Sequence, residues 1–232
     1  MEISPLYETL ILIEHKKVIE KSDLLNYASR SMRGVIGKME AMSLIKKSID
    51  GKISLSKKGH KYLNNILENL HDTIIKWDGM WTIVSFSIPE KERSTRDKFR
   101  RFIESIGMKP LFNSLWISSL NLTTEIIQYV KNKNLSDNVL VIRTDKVEGT
   151  DLNKIMSLWD FQKYRQDHET FIIDANMSID EKKDIKLEIK KKIFCFALIL
   201  DRQPKVPFNL LPNDWPYLRA KMAYKKLKSK LI

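Results

Sequence analysis

The chain has 232 residues, 43% of them hydrophobic and 30% charged, the balance of an ordinary globular protein with enough length for a sizeable core or for two or three small domains. Its longest apolar run, residues 193–200, is far too short to span a bilayer, and the opening Met-Glu-Ile-Ser-Pro carries no basic region followed by an apolar stretch, so a cytoplasmic location is expected. The net charge of +12 and a pI near 9.6 suit a polyanionic partner, because neutralising phosphates releases condensed counterions; where the charge lies along the chain then becomes the question.

In chain order, Ser4 followed by Pro5 reads as a helix N-cap with proline at the first helical position. Leu6, Leu10 and Ile13 recur at helical spacing, giving a first helix that ends near His15. Ser22-Asp23 can cap a second, short helix carrying Leu24, Leu25 and Tyr27. A third helix runs from about residue 29 or 30 to Met42 and has two faces. Met32, Val35, Ile36 and Met39 form the inward one; Arg30, Arg33, Gly34, Gly37 and Lys38 form the other, basic and nearly bare of side chains. Each glycine costs a helix roughly 1 kcal/mol relative to alanine, so two on one face call for a reason. Close approach of DNA is one reason; glycines packed on a neighbouring helix within an ordinary solvated face is the plainer one.

Ile45 to Leu55 then reads as a hairpin, with Asp50-Gly51 between two β-prone runs and Ile53 and Leu55 alternating with Lys52 and Ser54. Ser56-Lys57-Lys58-Gly59 opens another helix with Tyr62, Leu63 and Ile66 inward. Three helices, a hairpin and a helix is the winged helix-turn-helix order. The candidate DNA-binding residues are Arg30, Ser31, Arg33 and Lys38 on the third helix, and Lys52, Lys57 and Lys58 on the wing and its exit. Helix residues would read base edges, and wing lysines would hold phosphates.

A helix over 63–75 is expected to lead into a second domain. There, 81–88 alternates as a strand ended by Pro89, and 91–106 is a helix stopped by Gly107. Residues 108–112 and 115–119 read as paired strands around Asn113-Ser114, followed by a helix over 123–131 and a strand over 138–144. This β-α-β-β-α-β pattern is the ferredoxin-like order. The fold class is therefore α+β: a winged helix at 1–64, a connecting helix at 65–76, a ferredoxin-like domain at 77–148 and a small C-terminal helical region at 149–232. Ser178 with Glu181 reads as a capping box, the lysine-rich run 182–192 as an exposed helix face, and the basic tail from Arg219 to Lys230 as a phosphate contact or a solubilising end. Cys195, the lone cysteine, is read as buried; the histidines show no ligand spacing; the five tryptophans are read as closing small domains. No metal and no cofactor are expected.

Several segments resemble the PaaX-like transcriptional repressor family: Trp77-Asp78-Gly79-Met80-Trp81, the strand ending Ile88-Pro89-Glu90, the arginine-bearing helix after it, Leu115-Trp116-Ile117-Ser118, and Leu211-Pro212-Asn213-Asp214-Trp215-Pro216. The resemblance implies a winged helix, a ferredoxin-like middle and a smaller helical end. It also implies a homodimer that represses by binding double-stranded operator DNA and lets go when a small-molecule effector, an aryl acyl-CoA, binds. Tyr217 departs from the family, which carries glycine after Trp-Pro, and the C-terminal portion is shorter than in the best-known members. No residue is assigned to an effector. The central domain also resembles a CRISPR-associated nuclease used in spacer acquisition, so the alternative is a metal-dependent nuclease or RNA-processing subunit. That family places a metal-binding aspartate at the end of its first strand, whereas Ser87 stands here, and a hydroxyl cannot replace a carboxylate's charge. The expectation is a regulator, not an enzyme.

Overall fold

The computed structural model describes residues 3–27, 32–71 and 75–231, and for Asn26, Tyr27 and Met32 the backbone alone. Helix α1 spans Pro5–Lys16 with Pro5 opening it; the hydroxyl of Ser4 makes no capping bond. Helix α2 spans Lys21–Tyr27, so Ser22 and Asp23 sit inside its first turn rather than ahead of it. Helix α3 is Met32–Ala41, and strands β1 (Ile45–Lys47) and β2 (Ile53–Leu55) pair antiparallel through Lys46 opposite Ser54. Between them, Gly51 takes the positive φ of 80° that the turn demands, and the Ser48 amide bonds the Lys52 carbonyl at 2.9 Å. Helix α4 covers Lys57–Leu67, with the Ser56 hydroxyl accepting from the Gly59 amide at 3.0 Å.

The connecting helix expected over 65–76 does not form. One 3₁₀ turn, Glu68–Leu70, ends the run, His71 is extended, and Ile75 to Met80 is irregular. The Asn69 side chain donates to the Ile66 carbonyl at 2.9 Å and to Asp201 at 3.2 Å, taking over a helical acceptor, and β-branched Thr73, Ile74 and Ile75 follow.

The central elements are β3 (Trp81–Phe86), α5 (Arg93–Ser105), β4 (Lys109–Phe112), β5 (Leu115–Ser118), α6 (Thr123–Asn132) and β6 (Val139–Thr144). The sheet order is β4-β5-β3-β6, every pair antiparallel, which gives the β-α-β-β-α-β arrangement. One sheet face, with Val84, Phe86 and Trp116, buries Phe99 and Ile103 of α5 and Ile126 and Val130 of α6. On the other, Trp81 and Ile117 pack against Ile155, Met156, Trp159 and Val206. The remaining helices are α7 (Leu152–Met156), α8 (Phe161–Asn176), α9 (Ile185–Arg202) and α10 (Tyr217–Ser229). The protein is thus α+β. Among the described residues no helix is long and apolar enough to cross a membrane.

Packing divides the chain into two units, each discontinuous: Met1–Asp72 with Tyr164–Gln203 and Pro216–Ile232, and Thr73–Lys163 with Pro204–Trp215. The linear ranges drawn from the sequence do not mark this partition. In the first unit α9 is the central helix. Leu187, Phe194 and Leu198 enter a core with Leu10, Ile13, Met39 and Leu63, while Ile189, Phe196 and Ile199 enter another with Phe171, Ala220 and Leu227. A helix apolar all round belongs in an interior, and this is what the 193–200 run encodes.

Two expectations about α9 are corrected. Its N-cap is Asp184, accepting from the Leu187 amide at 3.1 Å, and not the Ser178–Glu181 box, because the chain turns between the two. The end of the lysine run is not an exposed face either. Lys190 pairs with Glu14 at 2.8 Å, Lys191 with Glu8 at 2.8 Å, and Lys192 with Asp174 at 3.2 Å, tying α9 to α1 and α8.

His168 is fully buried in the same unit, edge-on to Phe196, with Nδ1 donating to the Tyr164 carbonyl at 2.9 Å. Burial lowers its pKa from the usual 6.5, so the folded chain binds fewer protons there than the unfolded chain. Stability at this site is fully present above the unfolded value and is lost as pH falls towards the lower folded one. Urea unfolding is expected to show stability dropping from pH 7 to pH 5, by at most about 1.4 kcal/mol per pH unit, with the drop flattened in His168→Gln. Equal slopes for the two proteins would remove His168 as the cause.

Candidate nucleic-acid interface

Helix α3 places the candidate residues. Ile36 and Met39 are buried and Val35 half-buried, while Arg33, Gly34, Gly37 and Lys38 are all exposed. Arg30 and Ser31 lie outside the described residues, as do the side chains of Tyr27 and Met32. A Cβ built on Gly34 or Gly37 meets nothing within 4 Å. Among the described residues no neighbouring helix packs on these glycines, and they lie on a solvent-facing surface.

At its far end α3 is pinned to the hairpin and to α4. The Leu44 amide bonds the Met39 carbonyl at 2.8 Å, the Ser56 amide bonds the Leu44 carbonyl at 2.9 Å, and the Ser56 hydroxyl donates to Ser43 O at 2.7 Å. Gly59 passes so close that a Cβ there would stand 2.1 Å from the Leu44 oxygen. This clamp fixes the first turn of α4, with exposed Lys57 and Lys58, beside the Ser43-Leu44 segment that follows α3. Two lysines and no acid in a first turn oppose the helix dipole, a cost that a bound anion would relieve.

The cations differ in their freedom. Arg33, Lys38, Lys46, Lys57 and Lys58 have no ion-pair partner within 4.0 Å among the described residues. Lys47 is paired with Glu40. Lys52 lies 2.9 Å from Asp50 and 3.8 Å from Glu20; its pKa is raised chiefly by the Asp50 hydrogen bond, and that of Asp50 is pulled down to about 2, chiefly by its bonds with Ser48 and Lys52. Lys52 therefore braces the hairpin and is the candidate least available to phosphate. Ile49, at the hairpin tip, is fully exposed, a feature that no periodicity announced. A cleft of about 1190 Å³ opens beside Lys52, lined also by Leu12, Ile19, Glu20, Lys183 and Asp184.

In the second unit, the first motif segment and the residues just before it meet the chain just ahead of the last motif. The Trp77 amide donates to Asn209 Oδ1 at 3.0 Å, and the Phe208 amide bonds the Ile75 carbonyl at 3.0 Å. Asp78 accepts from the Met80 amide at 2.9 Å and pairs with Arg143 of β6, Gly79 adopts φ 80°, and Trp77 meets Trp81 edge-on at 5.3 Å. These motifs close a domain. Ser87 is exposed just past β3, its amide bonded to the Asn138 carbonyl at 2.8 Å, and among the described residues no group of three or more His, Cys, Asp and Glu converges.

Residues 75–156 match the family described as PaaX protein central Cas2-like domain. The central domain is similar to the Cas2-like domain of PaaX proteins. No curated protein matches the chain. An uncharacterized protein of solved structure, Rv0674 from Mycobacterium tuberculosis, is similar over 97% of this chain and 94% of that one, at 17% identity and a TM-score of 0.59. At that identity the likeness is one of fold. The PaaX-like match covers the segments around Trp77 and Trp116 that carry the resemblance, and it stops before Leu211-Pro212-Asn213-Asp214-Trp215-Pro216.

Proposed function

We propose that this PaaX-like chain is a sequence-specific, DNA-binding transcriptional repressor whose N-terminal segment acts as a winged helix-turn-helix. The single observation that carries the reading is the face of α3: two exposed glycines with nothing among the described residues within 4 Å of a Cβ built on them, flanked by Arg33 and Lys38, which have no ion-pair partner among those residues. A helix that gives up roughly 1 kcal/mol at each of two positions without any internal packing gain presents a surface another molecule can approach closely. The cations flanking it suit a duplex. Arg33 reads a base edge in the major groove, and Lys57 and Lys58 hold phosphates. Two heads in a homodimer supply the discrimination that one lacks, and the central domain supplies the pairing surface. Release by a small-molecule effector, an aryl acyl-CoA by resemblance, completes the proposal; the cleft beside Lys52 offers it room.

The nuclease alternative is disfavoured by Ser87, at the place where the related enzymes carry their aspartate. A single titration separates the readings. Purified chain mixed with genomic duplex fragments at two salt concentrations is expected to bind, more weakly at the higher one, and to run in light scattering at twice its 27.3 kDa mass. The same mixtures with Mg²⁺ or Mn²⁺ are expected to leave DNA and RNA whole. Salt-insensitive or absent binding defeats the DNA reading, a monomeric mass defeats the dimer, and cleavage lost on changing Glu90 restores the nuclease.

A further inference from the structure

The first packing unit carries a second basic surface that the candidate site does not include. Helix α10 contains no acidic residue, and neither does α4. Both helices pack on α9, and Leu231, just past the end of α10, lines one cavity of about 230 Å³ together with His60, Leu63 and Asn64 of α4. On α10 the apolar side, Ala220, Ala223, Tyr224 and Leu227, is buried in the unit's core, which turns Lys225, Lys226 and Lys228 outward, with Lys230 following the helix. These four lysines have no acid within 4.0 Å among the described residues, whereas Arg219 at the other end is paired with Glu169. Lys228 lies 6.0 Å from the centre of the Tyr224 ring, which a cation can do without being neutralised.

Among the described residues no acid pairs with these lysines, so their charge is left for an outside partner. The α4 lysines Lys57 and Lys58 already belong to the proposed DNA face, and Lys61 continues that charge one turn further along α4, towards the end of α10. Resting on the DNA-binding reading, we infer that the C-terminal helix extends the interface: Lys225, Lys226, Lys228 and Lys230 hold phosphates of duplex DNA flanking the segment read by α3. The contact is to backbone alone, because flexible lysines on an exposed helix face carry charge without the fixed geometry that base readout needs.

The test compares the full chain with Lys225→Gln/Lys226→Gln/Lys228→Gln/Lys230→Gln and with Arg33→Ala, using fluorescein-labelled duplexes of about 15 and 40 base pairs between 50 and 300 mM KCl. The quadruple variant is expected to lower the slope of log affinity against log salt by about two to four, at roughly 0.9 for each phosphate no longer neutralised, and to do so more on the long duplex than on the short one. Arg33→Ala is expected to weaken binding while leaving most of that slope in place. An unchanged slope in the quadruple variant, with wild type binding normally, overturns this inference alone; wild type failing to bind any duplex overturns the DNA reading along with it. Loss of binding to phosphatidylglycerol vesicles with DNA binding intact would assign the helix to a membrane surface instead. Thermal melting of the quadruple variant controls for folding, since Lys228 lies beside the buried Tyr224 ring.

Discussion

Gly59→Ala is expected to destabilise the protein by about 3 kcal/mol, at the upper end of what forcing an extra group into a tight interior costs. The added Cβ would stand 2.1 Å from the Leu44 carbonyl oxygen, a backbone atom held in place by the Ser56 amide. That oxygen cannot swing aside as the end of a flexible side chain could. Helix propensity alone gives the opposite sign, because alanine is favoured over glycine in a helix by up to about 1 kcal/mol. Urea unfolding distinguishes the two, with Lys58→Ala as a surface control expected within about 0.5 kcal/mol of wild type. A Gly59→Ala protein as stable as its parent would mean that α4 does not press on Leu44. On the proposed DNA-binding reading the effect reaches function, since this clamp fixes Lys57 and Lys58 beside the segment that follows α3.

Arg33→Ala is expected to cost about 1–3 kcal/mol of DNA affinity, five-fold to more than a hundred-fold, and to relax preference at one base position. Arg33 is exposed, has no ion-pair partner among the described residues and lies on the bare side of α3, where its guanidinium can bond a base edge. Lys57→Ala/Lys58→Ala should behave differently: weaker binding to all sequences alike and a salt slope lower by about one or two. Selection of bound sequences from a random pool, run on both variants, reads the difference. If Arg33→Ala keeps both affinity and preference, α3 is not the reader.

The sequence carried the central domain well because its strands are short β-prone runs, each helix has a strong apolar face, and Pro89 and Gly107 punctuate them. The α3 face was legible for a similar reason: burial of Ile36 and Met39 follows directly from spacing. What spacing could not supply was the partner of each surface. Whether Gly34 and Gly37 touch a neighbouring helix is a tertiary fact, and so is the pairing of Lys52 with Asp50 and Glu20. Lys190, Lys191 and Lys192 read as a solvated run because their acids, Glu14, Glu8 and Asp174, lie far from them in sequence. The helix expected over 63–75 failed for a local reason: apolar periodicity continued past Leu67, but the Asn69 side chain captured a helical carbonyl. Gly59 looked like an ordinary helix-opening residue, and only the path of Leu44 gives it a role.

The central claim is that the empty side of α3 is empty so that a duplex can approach it. The double variant Gly34→Ala/Gly37→Ala tests this by separating stability from binding. Each new methyl group meets nothing within 4 Å among the described residues, so the free protein should become more stable, by up to about 1 kcal/mol per site. The same two methyl groups stand where the duplex would press, so its affinity for DNA should fall by about tenfold, some 1.4 kcal/mol. Melting temperature and anisotropy titration on one preparation give both numbers. A rise in stability with a fall in affinity is the predicted result; a rise in stability with unaltered affinity would mean that DNA does not dock on this face.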